Sequence, residues 1–180
     1  MSIVKKKICL IGDFAVGKTS LIRRYVEKQF RDQYLSTVGV KISKKLVTLQ
    51  PSGTPSPVEV QMMIWDLEGR TQFEALTSSS YLQGAMGAIV VGAMNRQATL
   101  GGLEDHIELF GKFNPKRPVI VALNKADLVP PDQHKSLRER YNNLTYDTVL
   151  DCQCTSAKTG ENVDALFETL AKACIKNAKG

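Results

Sequence analysis

The chain has 180 residues, 43% of them hydrophobic and 23% charged, proportions that predict one globular domain over 1–180 and exclude disorder as its main state. Its longest mostly apolar stretch, Ala85–Met94, is about half of what a membrane span needs, and Ile8–Ile11 is too short for a secretory core. The net charge is +6, but the basic residues are scattered apart from Lys5–Lys7, Arg23–Arg24 and Lys44–Lys45, which predicts a solvated basic face and no nucleic-acid partner.

Val4–Ile11 is β-branched and apolar and stops at Gly12, the pattern of a buried strand. The next segment, Gly12-Asp13-Phe14-Ala15-Val16-Gly17-Lys18-Thr19, matches G-x-x-x-x-G-K-[ST]. A one-sided helix follows over Lys18–Phe30, with Leu21, Ile22, Tyr25 and Val26 on its apolar stripe. Strand, glycine loop and helix in this order form a phosphate cradle. The glycines let backbone N–H groups turn inward, and the helix N-terminus adds its positive end. Lys18 would bridge the terminal phosphates, and the Thr19 hydroxyl would take Mg²⁺.

Val38–Leu49 and Val58–Asp66 read as strands, and the short Pro51–Pro57 connection, read as a plain linker, makes them an antiparallel pair. Asp66 opens Asp66-Leu-Glu-Gly69, a D-x-x-G in which the carboxylate would hold Mg²⁺ through water and the Gly69 N–H would sense a γ-phosphate. Thr37, 18 residues after Thr19, would supply a second hydroxyl to the metal. A polar stretch, Leu67–Ser80, leads to the strand Ala88–Val91, a helical region around Ala98–Phe113 and the strand Pro118–Leu123.

Directly after that strand stands Asn124-Lys125-Ala126-Asp127, an N-K-x-D. A carboxylate at Asp127 accepts the N1–H and 2-amino hydrogens of guanine, whereas adenine presents neither donor there. Asn124 would tie this loop to the phosphate loop, and the Lys125 stem would lie over the ring. Phe30 packs edge-on against the base or serves as a core aromatic. The remaining elements are a helix over Pro131–Tyr141, a strand over Thr148–Cys154 and an amphipathic helix over Asn162–Lys176. Between the last two, Ser156-Ala157-Lys158 offers the Ala157 N–H to guanine O6. Strands alternating with helices predict an α/β three-layer sandwich, with the ligand beyond the C-terminal strand ends. Cys9, Cys152, Cys154 and Cys174 make no zinc pattern and are expected as buried thiols in a reducing cytoplasm.

These motifs, in this order from Lys6 to about Ala173, resemble the Ras superfamily of small GTPases, and among its branches the Rab family most. Ile64-Trp65-Asp66, Phe73-Glu-Ala-Leu-Thr-Ser-Ser and Thr155-Ser-Ala-Lys-Thr-Gly-Glu-Asn162-Val are Rab-like outside the nucleotide contacts. The resemblance implies a P-loop NTPase fold with a six-stranded, mostly parallel sheet and five helices. It implies a molecular switch that binds GTP or GDP with Mg²⁺, hydrolyses GTP, and meets effector, exchange-factor and activating proteins through segments 30–40 and 67–80. Carried over residue by residue, nucleotide contacts fall on Gly12, Asp13, Phe14, Ala15, Val16, Gly17, Lys18, Thr19, Ser20, Phe30, Thr37, Gly69, Asn124, Lys125, Asp127, Ser156, Ala157 and Lys158. Thr19, Thr37 and Asp66 would hold the metal, and Lys18, Thr37, Gly69 and Arg70 would carry catalysis.

The chain departs from that pattern in four places. Arg70 stands where the family carries the glutamine that orients the attacking water, so hydrolysis is expected to be slow. Phe14 replaces a glycine or small residue and would crowd an arginine finger supplied in trans. Glu68 replaces alanine: it repels the γ-phosphate, pairs with Lys18 after hydrolysis, or turns out to Arg70. Neither a CaaX box nor a terminal cysteine pair is present, so no lipid anchor is expected in this chain and membrane contact only through partners or a basic patch; a cytoplasmic monomer is expected. Arg70 itself is either an exposed residue or a cis arginine finger. The alternative to a slow GTPase is a GTP-binding adaptor with negligible hydrolysis.

Overall fold

The computed structural model describes residues 3–33, 39–50, 56–67, 80–143 and 145–176. Six strands, β1 (Val4–Ile11), β2 (Val40–Leu49), β3 (Val58–Leu67), β4 (Gly87–Ala93), β5 (Val119–Asn124) and β6 (Val149–Cys154), form one sheet in the order β2-β3-β1-β4-β5-β6. β2 runs antiparallel to β3, from Val40 opposite Leu67 to Leu49 opposite Val58, and every other pair is parallel. β4 and β5 are buried at every position, as central strands covered on both faces must be. β2 alternates and takes an edge.

The helices α1 (Lys18–Glu27), α2 (Gln97–Gly101), α3 (Leu103–Phe113), α4 (Pro131–Asn142) and α5 (Val163–Lys176) complete the expected three layers. One core joins α1 and α5 to the sheet through Leu21, Tyr25, Leu166, Phe167 and Leu170, with the Tyr25 ring stacked on Phe167 at 4.2 Å. The other joins α3 and α4 through Leu103, Ile107, Phe110 and Tyr141. The four cysteines are free and buried in these layers, and burial pushes the Cys9 and Cys174 thiols up to about 12. Among the described residues no helix is long and apolar enough to cross a membrane.

Two expected boundaries move, and both bear on the site. The helix predicted over Lys18–Phe30 ends at Glu27, because Lys28 turns left-handed (φ 57°) and donates its N–H to the Arg24 carbonyl. Phe30 is thereby freed from the helix. The helical region around Ala98–Phe113 is two helices meeting at Gly101-Gly102, where no side chain supports the turn. The Pro51–Pro57 linker falls largely outside the described residues, as do most of 67–80 and residues 34–38 of the first switch segment.

Candidate functional site

β1 delivers Gly12 and α1 starts at Lys18, so the phosphate loop is the six-residue turn between them. Two of its glycines are steric requirements. A Cβ at Gly12 would lie 2.2 Å from the Val91 carbonyl oxygen, and one at Gly17 (φ 102°) would lie 2.3 Å from Asn124 Nδ2. Ala15 also takes a positive φ, 60°, at a cost of about 1–2 kcal/mol for a residue with a Cβ.

The carbonyls of this loop are held by donors from elsewhere. Arg96 Nη1 donates to the Phe14 carbonyl (2.8 Å), Lys125 Nζ to that of Ala15 (2.8 Å) and Asn124 Nδ2 to that of Val16 (2.9 Å). In a trans peptide the N–H points opposite to the carbonyl, so the Ala15, Val16 and Gly17 N–H groups face away from those donors. That is the arrangement of an anion-binding nest at a helix N-terminus.

Lys18 Nζ, nearly buried, donates to the Gly12 and Asp13 carbonyls at 2.8 and 2.9 Å. Burial pushes its pKa down to about 8 against the pull of Asp66 and Asp13. An ammonium has three donors, and a phosphate oxygen is the partner that would repay its desolvation. Beside it, Thr19 Oγ1 donates to Asp66 Oδ2 over 2.5 Å, placing a hydroxyl and a buried carboxylate together. Both are hard oxygen donors, and their pairing fits Mg²⁺.

At the other end, Asn124 closes β5 and Lys125 turns left-handed (φ 63°) to start the short turn Ala126–Leu128. Asp127 Oδ1 accepts from Ser156 Oγ at 2.6 Å, which orients the carboxylate. The Ala157 N–H donates over 3.3 Å to Asn124 Oδ1, a long bond that a base oxygen would share. Burial lowers the Lys125 pKa, helped by Arg96 and opposed by Asp127. His134 Nε2 lies 3.1 and 2.9 Å from the Ala126 and Val129 carbonyls, bracing the turn from α4.

A cavity of about 350 Å³ connects the two ends. Of the expected nucleotide contacts, Phe14, Ala15, Gly17, Lys18, Thr19, Ser20, Phe30, Asn124, Lys125, Asp127, Ala157 and Lys158 line it. Phe30 also packs against the α1–α5 core, as expected of a core aromatic, while one side of it lines the cavity. Gly12, Asp13, Val16 and Ser156 stand behind that lining, bonded to Lys18, Asn124 and Asp127. Asp66 joins through Thr19. Thr37, Glu68, Gly69 and Arg70 lie outside the described residues.

Three residues in the site have no counterpart in the sequence reading. Arg96 holds the Phe14 carbonyl from the loop after β4. His106 Nε2 lies 2.8 Å from Asp13 Oδ1, tying α3 to the phosphate loop. Arg24, noted only as part of a basic pair, donates from Nε to the Ala157 carbonyl at 2.7 Å and from Nη2 to the Lys158 carbonyl.

Comparison with known proteins agrees with this geometry. The sequence model of the Ras family matches residues 7–176. The Ras-related protein Rab-13 of Mesocricetus auratus is 31% identical over 97% of this chain and 82% of its own length. Rab-27B of Bos taurus is 30% identical over 94% and 79%, and the Ras-related protein SEC4 of Saccharomyces cerevisiae 29% over 92% and 73%. With the Gly12–Thr19 and Asn124–Asp127 motifs meeting at one cavity, the chain belongs to the Ras family and is most similar to its Rab branch: a GTP-binding molecular switch that uses Mg²⁺ and hydrolyses GTP.

Proposed function

We propose that this chain is a single-domain switch that hydrolyses GTP slowly. The observation that carries the nucleotide assignment is the pair of bonds from Asn124 to the Val16 carbonyl and from Lys125 to the Ala15 carbonyl. They hold a phosphate-binding turn and a guanine-reading turn as one body. In this reading the Ala15–Gly17 N–H groups and Lys18 take the phosphates, Asp127 reads N1–H and the 2-amino group, and the Ala157 N–H meets O6. Thr19 and Asp66, joined by Thr37, would hold Mg²⁺, which when bound would offset phosphate charge. Gly69 would meet the γ-phosphate.

Slow hydrolysis rests on two side chains. Arg70 replaces the glutamine that would orient water, and Phe14, 43% exposed at the cavity, has its backbone held by Arg96. The phenyl ring lines the cavity, where it would crowd an arginine coming in from an activating protein. Effectors would engage segments 30–40 and 67–80 together with the β2–β3 face between them. There Ile42 and Leu46 are exposed, and Ile42 pairs across the strands with Trp65, whose ring is covered by Lys7 Nζ at 3.9 Å.

The test is to denature the purified protein and identify the released nucleotide, then to measure single-turnover hydrolysis of bound GTP. Released GDP with a slow measured rate supports this reading. Released GTP with no turnover supports an adaptor regulated by exchange or abundance. An adenine nucleotide would overturn both.

A further inference from the structure

We propose that Arg24 is a positioning residue for guanine recognition, holding the Ser156–Lys158 loop in register with the phosphate loop. The proposal rests on the assignment of Asp127 and Ala157 to the base. Arg24 lies six residues after Lys18 on α1, so its anchor point is fixed by the same helix that closes the phosphate end. Its guanidinium spans two successive carbonyls of the base loop, Nε on Ala157 at 2.7 Å and Nη2 on Lys158. A planar fork with charged donors suits such a pair, because two bonds fix both the distance and the tilt of the loop.

The loop it holds carries two groups that serve the base site. One is the Ala157 N–H, directly on the residue whose carbonyl Arg24 grips. The other acts at one remove: Ser156 Oγ donates to Asp127 and sets its carboxylate. A loop that drifts by even a fraction of an ångström would therefore detune both contacts together. A purely structural role for Arg24, docking α1, is already filled. Leu21 and Tyr25 are buried beneath the helix, Tyr25 stacks on Phe167, and Lys28 pairs with Asp164 of α5 at 2.5 Å.

The experiment compares wild type, Arg24→Ala, Arg24→Lys and Asp164→Asn. The readouts are GDP affinity, the GDP-over-IDP preference, which reports the 2-amino contact, and competition by inorganic triphosphate. For Arg24→Ala the expected result is a loss of about tenfold in GDP affinity, the low end of what a single hydrogen bond to a charged group contributes, because Arg24 acts on the base through the loop. The GDP-over-IDP preference should shrink, and triphosphate should bind as in wild type. Arg24→Lys keeps the charge but not the fork, and covers the case in which the alanine variant fails to fold. It should fall between the two. Asp164→Asn loosens the same helix pair without touching the loop and should keep the wild-type preference. Equal losses for GDP and triphosphate, or an unchanged GDP-over-IDP preference in both Arg24 variants, would overturn the proposal. A wild-type protein that binds GDP and IDP equally would instead overturn the base-site assignment beneath it.

Discussion

Asn124 Nδ2 donates to the Val16 carbonyl over 2.9 Å, and the same amide accepts from the Ala157 N–H on its Oδ1 side. One buried side chain, on the residue that opens the Asn124–Asp127 motif, thus bonds both the phosphate turn and the loop after β6. Its position at the end of β5 is set by the fully buried strand behind it. Both ends of the cavity are therefore referred to the end of one rigid central strand.

Base selectivity should respond to Asp127 in a way that no loss of stability would mimic. In Asp127→Asn an amide replaces the carboxylate and can donate to a C2 carbonyl where the acid could only accept. Preference should move from guanosine toward xanthosine nucleotides, read as the ratio of GDP to XDP affinities. A variant that keeps the wild-type ratio would show that Asp127 does not read the base.

Gly17→Ala should abolish nucleotide binding while the protein still folds. The added Cβ would sit 2.3 Å from Asn124 Nδ2, at a φ of 102° that side chains rarely adopt. Backbone strain of about 1–3 kcal/mol is the smaller part of the damage. The larger part is displacement of Asn124 from the Val16 carbonyl. Circular dichroism should show near-wild-type content and calorimetry no heat on adding GDP. Binding retained at wild-type affinity would refute the steric argument.

Lys18 makes binding depend on pH. Burial lowers its pKa from 10.5 to about 8, so between those values the folded nucleotide-free chain binds fewer protons than the unfolded one. From this group alone, stability rises with pH across that window; its desolvation penalty is fully present below about 8. A bound polyphosphate favours the ammonium form, so binding should take up a proton above about 8 and weaken as pH rises further. Calorimetry of GDP binding in buffers of different ionisation heat should reveal uptake near pH 8.5 that is absent near pH 7. Lys18→Arg, charged throughout, should remove the difference. Equal uptake at both pH values would place the effect elsewhere.

What was legible in advance follows from how the information is carried. Gly12–Thr19 and Asn124–Asp127 are runs of consecutive residues, and the Cβ distances at Gly12 and Gly17 show why two of those positions must be glycine. The three-layer α/β architecture followed from apolar runs alternating with one-sided helices, whereas the order of strands in the sheet did not. Arg24, Arg96 and His106 were not legible, because each acts across 82 to 134 residues of sequence. Arg24 and Arg96, moreover, bond to backbone carbonyls, and a carbonyl leaves no trace in its own residue's identity. The early end of α1 was hidden for a similar reason: Lys28 is an ordinary residue that happens to take a left-handed cap. Gly101-Gly102 was a visible signal for the break between α2 and α3 that apolar periodicity masked.

The hydrolysis rate is where this chain should differ most from its relatives. With arginine in place of glutamine at position 70 no neutral amide there would position the attacking water, and the Phe14 ring, exposed at the cavity, would obstruct an arginine from outside. Such a finger is worth about 10³–10⁵ in rate, so losing both aids should leave single-turnover hydrolysis no faster than that of an unassisted small GTPase. The double change Arg70→Gln with Phe14→Gly should raise the rate, and more so with an activating protein than alone. Arg70→Ala separates two roles for the arginine. A fall of about tenfold, near 1.4 kcal/mol of lost transition-state stabilisation, would mark it as a finger acting in cis. No change would mark it as an exposed residue in a site where rapid hydrolysis is not required. A fast wild-type rate with Arg70 dispensable would mean that the water is oriented by a group outside both motifs, and the slow-switch reading would fall with it.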